Sequence, residues 1–167
     1  MLIIPHVLTG AVTAKKINKP LIALPLAVAS HFLLDAFPHL DSHGMFGIDG
    51  AGQMPMEKVS AVVDTALSVA IILWAVWRLP NRWYLVLGGF CGALPDLVYH
   101  VSPWGPWFHE LPVFKQIGEF HAWVNYGVGW DRWVIGFGTQ LIVIILMLWI
   151  LRRKQKPEKD VGCRLSC

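Results

Sequence analysis

The chain has 167 residues, 55% of them in the AVILMFWYC set and only 15% charged, with a formal charge of +3. Mean hydropathy is +0.51, too apolar for an ordinary domain that must cover itself with ionisable side chains. The basic residues fall in clusters rather than along one stripe, which argues against nucleic acid as a partner.

In chain order the sequence predicts five helical segments, at residues 4–16, 20–37, 56–79, 82–99 and 131–151. The first is short for a full crossing and is expected to be tilted, partial or buried against the others. Pro20 heads the second, and "LPNR" separates the third from the fourth. Residues 38–55 and 100–130 are long connections. The last segment carries an uncharged run of 19 residues, "WVIGFGTQLIVIILMLWIL", about 28 Å long as a helix. The expected architecture is all-α: a polytopic helical membrane protein of about five membrane-associated helices, with a membrane domain at 1–151 and a basic tail at 152–167. No signal peptide is evident, so the apolar segments are expected to remain in the protein. Cys163 and Cys167 in the tail read as free thiols, with metal binding or acylation as alternatives, and Cys91 lies in an apolar segment.

If all five segments cross, 11 of the 14 basic residues lie on one side. The positive-inside rule then makes that side cytoplasmic, and with it the C-terminus of an integral membrane protein of the prokaryotic cell membrane. Trp74, Trp77, Trp83 and Trp149 would mark the inner boundary, and Trp104, Trp107, Trp123, Trp130 and Trp133 the outer one. All seven histidines and nine of the 11 acids fall on the outer half. Such segregation suggests that something at that depth uses them.

"SHFLLDAFPHLDSHG" places His31 and Asp35 four apart on one helical face. Pro38 ends the helix so that His39, Asp41 and His43 can turn back over it. Imidazole and carboxylate at this spacing can chelate a divalent ion, or the carboxylate can orient a ligating histidine; a satisfied core pair is the alternative. Their apolar setting favours a site, because ionisable groups are costly there. "GALPDLVYH" repeats the spacing in reverse with Asp96 and His100, unless Asp96 caps a break at Pro95 and His100 is a loop residue. His6 is isolated in apolar sequence and reads as a further ligand.

Glu57, Ser60, Asp64 and Ser68 form a polar stripe on the third segment. Asp64 needs a partner there, whether a metal, a histidine or Arg132, and purely structural satisfaction stays open. "FHELPVFKQIGEFHAW" brings His109, Glu110, Glu119 and His121 in an amphipathic element that could cover the site or lie on a membrane surface. Asn125, Thr139 and Gln140 are weaker candidates. Gly88 and Gly92 have the spacing of close helix packing. Neither a phosphate loop nor a Gly-x-Ser-x-Gly nucleophile motif is present.

Taken together, His6, "SHFLLDAFPH" and "LPDLVYH" resemble the bacterial and archaeal membrane-bound metal-dependent hydrolases, a group similar at a distance to zinc-dependent phospholipase C. His121 matches the histidine of that family's outer segment, although the usual His-Arg-Gly-x-Thr-His pattern is absent and the block order is altered. The resemblance implies a divalent metal, zinc as first choice, with one or two ions held by His6, His31, Asp35, Asp96, His100 and His121. Asp64 or Glu119 would be the general base. The expected reaction is metal-assisted hydrolysis of a phosphoester, in a lipid or lipid-linked phosphate, with membrane lipids as partners. A divalent-metal transporter or a metal-binding structural membrane protein is the alternative.

Overall fold

The computed structural model describes residues 1–17, 19–40, 54–100, 107 and 110–153. Among these the chain forms α1 (Ile3–Ile17), α2 (Pro20–Asp35), α3 (Met54–Val76), α4 (Arg82–His100), α5 (Pro112–Val124) and α6 (Trp133–Arg152). A 3-10 turn, Trp130–Arg132, leads into α6. The described residues contain no β-strand, only a bridge between His39 and Gly127. The all-α expectation therefore stands.

The five-crossing arrangement does not. Among the described residues one helical stretch, Trp130–Arg152, is long and apolar enough to cross a membrane. The apolar stretches Pro20–Asp35 and Val62–Val76 are too short, and α1, at 15 residues, ends in Lys15 and Lys16. At 1.5 Å per residue α1 is only about 22 Å long, against a hydrocarbon layer of about 30 Å. The polytopic membrane bundle, and the integral placement with a cytoplasmic C-terminus that was built on it, are corrected accordingly. High mean hydropathy is spread here over helices whose apolar stretches are mostly short, with outward apolar side chains, among them Leu21 and Val62, left uncovered. Composition alone could not distinguish that from long spans. Residues 154–167, with Cys163 and Cys167, lie outside the described residues.

Local chemistry explains where the helices begin. Pro20, whose missing N–H would be unsatisfied anyway, opens α2, and the Lys19 carbonyl accepts from the amides of Ile22 and Ala23 at 3.0 and 2.8 Å. At the head of α4 the Asn81 carbonyl accepts from Tyr84 and Leu85 at 2.9 and 3.2 Å. Asn81 itself sits at φ 56°, a left-handed conformation that asparagine tolerates better than most residues.

α1 is the central element, buried along most of its length and packed against α2, α3, α4 and α6. Its tightest crossing is with α4. A side chain at Gly10 would strike the Gly88 carbonyl, and one at Gly92 would strike the His6 carbonyl. Glycine at these positions lets the two backbones touch, and it is this approach that brings His6 to the height of Asp96 on α4. On the other half of the bundle Leu8, Ala11, Ile72, Val76, Leu85 and Leu151 make one apolar core.

α1 to α4 run in alternating directions, and α6 runs parallel to α1. The N-terminus of α1 and the C-terminal portions of α2 and α4 therefore meet at one end, where Leu2 and Ile3 also reach Gln140 and Asp64. The last residues of α1 and α6 meet at the other, where Lys15 Nζ donates to the carbonyls of Ile150, Leu151 and Arg153. Near the first end the strands of chain after α2 and α5 are laced together: Tyr126 N–H donates to the Asp35 carbonyl at 2.8 Å and Val128 N–H to the His39 carbonyl at 2.8 Å.

Candidate metal centre

Asp35, the last residue of α2, is the hub. Its Oδ2 lies 2.8 Å from His121 Nε2 and 3.1 Å from His31 Nε2. Its Oδ1 accepts from the Met1 amine at 3.0 Å and lies 3.3 Å from His6 Nε2 and 3.9 Å from His39 Nε2. The two oxygens of one carboxylate thus face two different groups of nitrogens. Asp96, on α4, completes the Oδ2 side: its Oδ1 is 3.5 Å from His31 Nε2 and 3.9 Å from His121 Nε2.

Each contributing side chain arrives by a simple local rule. The four-residue interval stacks His31 beneath Asp35 on α2. His31 Nδ1–H donates to the Gly92 carbonyl at 3.0 Å, which turns Nε2 inward toward the two carboxylates. His39 Nδ1 is set in the same way against the Phe37 carbonyl at 2.9 Å. His6 stacks on His31 with ring centroids 4.0 Å apart. His121 comes from α5, its ring edge-on to Phe32. His6, His31, His39 and Asp35 are fully buried.

Burial alone would neutralise these groups, and their mutual contacts decide which stay charged. Burial opposes charge on His31, but the carboxylates of Asp35 and Asp96 outweigh it and lift the imidazole to about 9. Burial likewise raises Asp35, yet His121, His31 and His6 together hold its carboxyl far below the usual range. Asp96 is also held low against burial, chiefly by His31. His6 goes the other way: desolvation outweighs Asp35 and pushes it down to about 4, a neutral ring at neutral pH.

His31, Asp35, Asp96 and His121 can each offer one ligand atom, and these atoms all lie within 4.8 Å of one another. This is a His/His/Asp/Asp set able to chelate a divalent cation. Its residues also fit a metal by a second sign: His6 Nδ1, beside the cluster, is buried with no hydrogen-bond partner among the described residues, which is costly for a polar atom out of water.

The remaining sequence candidates are placed differently. Asp64 Oδ2 accepts from the Ile3 amide at 2.6 Å, serving the open N-terminus of α1. Its Oδ1 is buried without a hydrogen-bond partner among the described residues, and burial raises its carboxyl against the opposing amides of Ile3 and Ile4. Arg132 pairs instead with its exposed neighbour Asp131 at 3.4 Å. Glu119 is exposed on α5. His100 ends α4, but its side chain, and those of Glu57 and Ser60, lie outside the description, as do His43 and His109 altogether. Gln140 is buried and structural, accepting from Leu2 N–H at 3.1 Å and donating to the Leu40 carbonyl at 2.7 Å.

The sequence pattern turns His39 back over α2 past Pro38 without naming it a ligand, and it gives no sign of the Met1 amine. No protein-family model, curated protein or solved structure matches this chain, so its chemistry has to be argued from the site itself.

Proposed function

We propose that the protein is a metal-dependent hydrolase of phosphoesters, with zinc as the ion and a lipid or lipid-linked phosphate as the substrate class. The observation that supports this most directly is the convergence of two imidazole nitrogens and two carboxylate oxygens from three helices within 4.8 Å. A mixed nitrogen and oxygen set suits zinc. A second ion, if held, would draw on His6 and His39 beside Asp35. The resemblance of "SHFLLDAFPH" and "LPDLVYH" to the membrane-bound metal-dependent hydrolases points the same way.

When bound, such ions supply a polarised phosphoryl oxygen and a water of lowered pKa. The chain's own residues do the rest. The Gly92 and Phe37 carbonyls fix the tautomers of His31 and His39 and aim their Nε2 atoms inward. Asp64, buried with Oδ1 unpartnered and its carboxyl raised, is the better candidate to take a proton; Glu119 is the solvent-facing alternative. Trp123, two residues beyond His121 and 80% exposed, with Phe120 beside it, offers a surface for the apolar part of an amphipathic substrate.

Elemental analysis of the purified protein, followed by assay on a panel of lipid and soluble phosphoesters with and without chelator, tests the proposal. Bound zinc with chelator-sensitive release of phosphate or phosphoalcohol is the expected result. Metal without cleavage would leave a centre that only ties helix ends together, and no metal at all would overturn the reading.

A further inference from the structure

The opposite end of the bundle is built from a different chemistry. Trp74, Trp77, Trp83 and Trp149 are 61%, 65%, 69% and 49% exposed. Large indoles are not normally left out in numbers at one level of a structure. Cations lie on them: the Arg82 guanidinium is 5.3 Å from the Trp77 ring and 5.6 Å from Trp83, Arg152 is 3.9 Å from Trp74, and Arg153 is 3.3 Å from Trp149. Arg152 on α6 reaching Trp74 on α3 shows that the ring runs across separate helices.

Among the described residues charge at this end is of one sign. Lys16, Lys19 and Arg78 are exposed there as well, while the acids of the described residues with placed side chains, Asp35, Asp64, Asp96, Glu110, Glu119 and Asp131, belong to the other half of the sequence pattern and none pairs with these cations. Beside Arg82 an open cleft of about 650 Å³ is lined by Pro20, Leu79, Asn81, Arg82, Trp83 and Tyr84. Cations held over exposed indoles, beside apolar side chains and with no acid paired to them among the described residues, match one kind of surface: a layer of phosphate headgroups over a hydrocarbon boundary. There the indole sits at the interface and the guanidinium meets the phosphate.

We infer that this Trp/Arg end docks on the headgroup layer of a bilayer rich in anionic phospholipid, with the cleft beside Arg82 receiving a headgroup phosphate. Nucleic acid or an acidic polypeptide would use the cations but not four exposed indoles flanked by aliphatic surface.

The test is flotation of the full-length protein with vesicles of phosphatidylcholine alone or of phosphatidylcholine mixed with phosphatidylglycerol, at low and high salt. Tighter partition to the anionic vesicles by about tenfold or more is expected, weakening with salt. Arg82→Glu with Arg153→Glu should remove that preference, whereas Arg82→Lys with Arg153→Lys should retain most of it. Trp77→Ala with Trp83→Ala should weaken binding to both vesicle types. Helical circular dichroism separates these effects from unfolding, and the lysine pair supplies a charge-conserving control. Equal partition to neutral and anionic vesicles, an unchanged preference in the glutamate pair, or binding to heparin or duplex RNA in place of vesicles would overturn the inference.

Discussion

The two ends of this bundle solve the problem of charge in opposite ways. At the metal centre the ionisable groups are taken out of water and answer one another: Asp35 by His121, His31, His6 and the Met1 amine, Asp96 by His31. At the other end the guanidinium groups stay exposed and rest on indole faces. Groups of the first kind depend on their partners for survival as ions, because an unpaired buried charge is very costly. Groups of the second kind keep their hydration and are available to an outside surface. The difference predicts how steeply each end responds to substitution.

The largest effect is expected at Asp35. Asp35→Asn keeps the shape but removes the charge that four nitrogens share, leaving a buried His31 cation poorly answered. A loss of about 3–5 kcal/mol of stability is expected from breaking such a network, together with loss of bound metal. Denaturant titration and elemental analysis of the same preparation check both. Stability near wild type would mean that the site end is no more coupled than the basic end.

Next in size is the crossing that assembles the site. Gly92→Ala puts a methyl group against the His6 carbonyl, and because the obstacle is backbone the helices must separate. A cost of about 1–3 kcal/mol is expected from overpacking, with weaker metal affinity, since Gly92 also holds His31 through its carbonyl. The metal measurement sharpens the point: a purely structural crossing would lower stability and leave affinity alone.

Protons should act at the site end in a definite direction. In metal-free protein His31 is raised from 6.5 to about 9, so it binds more protons folded than unfolded, and the stability it gives is full below 6.5 and lost as pH rises through 9. His6 is lowered from 6.5 to about 4, and folding is penalised as pH falls below 6.5. Asp35 and Asp96, held low, contribute stability above the ordinary carboxylate range that is lost as acid protonates them. The chelated apo protein should therefore be most stable near pH 6.5 and decline on both sides. Metal must displace the His31 proton, so affinity should rise with pH across the alkaline side of that maximum. Unfolding midpoints and metal titrations over this range give the two curves, and a flat pair would remove His31 and His6 from the site.

Much of this end was readable in the sequence because it obeys local rules. The four-residue interval puts His31 against Asp35, and an ionisable residue isolated in apolar sequence, as His6 is, has few explanations. What could not be read depends on contacts between distant segments. Asp64 meets the Ile3 amide 61 residues away, and no local pattern distinguishes that duty from catalysis. His39 enters only because the chain after α2 is laced to residues 126–128. Gly88 and Gly92 were legible as a close-packing face, but their partner, Gly10, was not. The five crossings failed for another reason: hydropathy averages over composition, whereas crossing requires an unbroken length, which among the described residues only Trp130–Arg152 has.

The smallest effect belongs to the exposed end. Arg152 on α6 lies over Trp74 on α3 at 3.9 Å, a contact between two helices, yet water competes for both partners. Arg152→Ala removes the cation and leaves no buried charge behind, so the melting temperature should fall by only about 1–2 °C, as befits an exposed cation–π contact in a chain of this size. Bound metal should be unchanged, since none of the contacts given for Asp35 involves the C-terminal end of α6. Thermal unfolding of Arg152→Ala beside Asp35→Asn makes the comparison directly. A fall for Arg152→Ala that approached the Asp35 value would mean that the guanidinium carries a buried structural load, and the two ends would then differ in sign of charge but not in how they hold it.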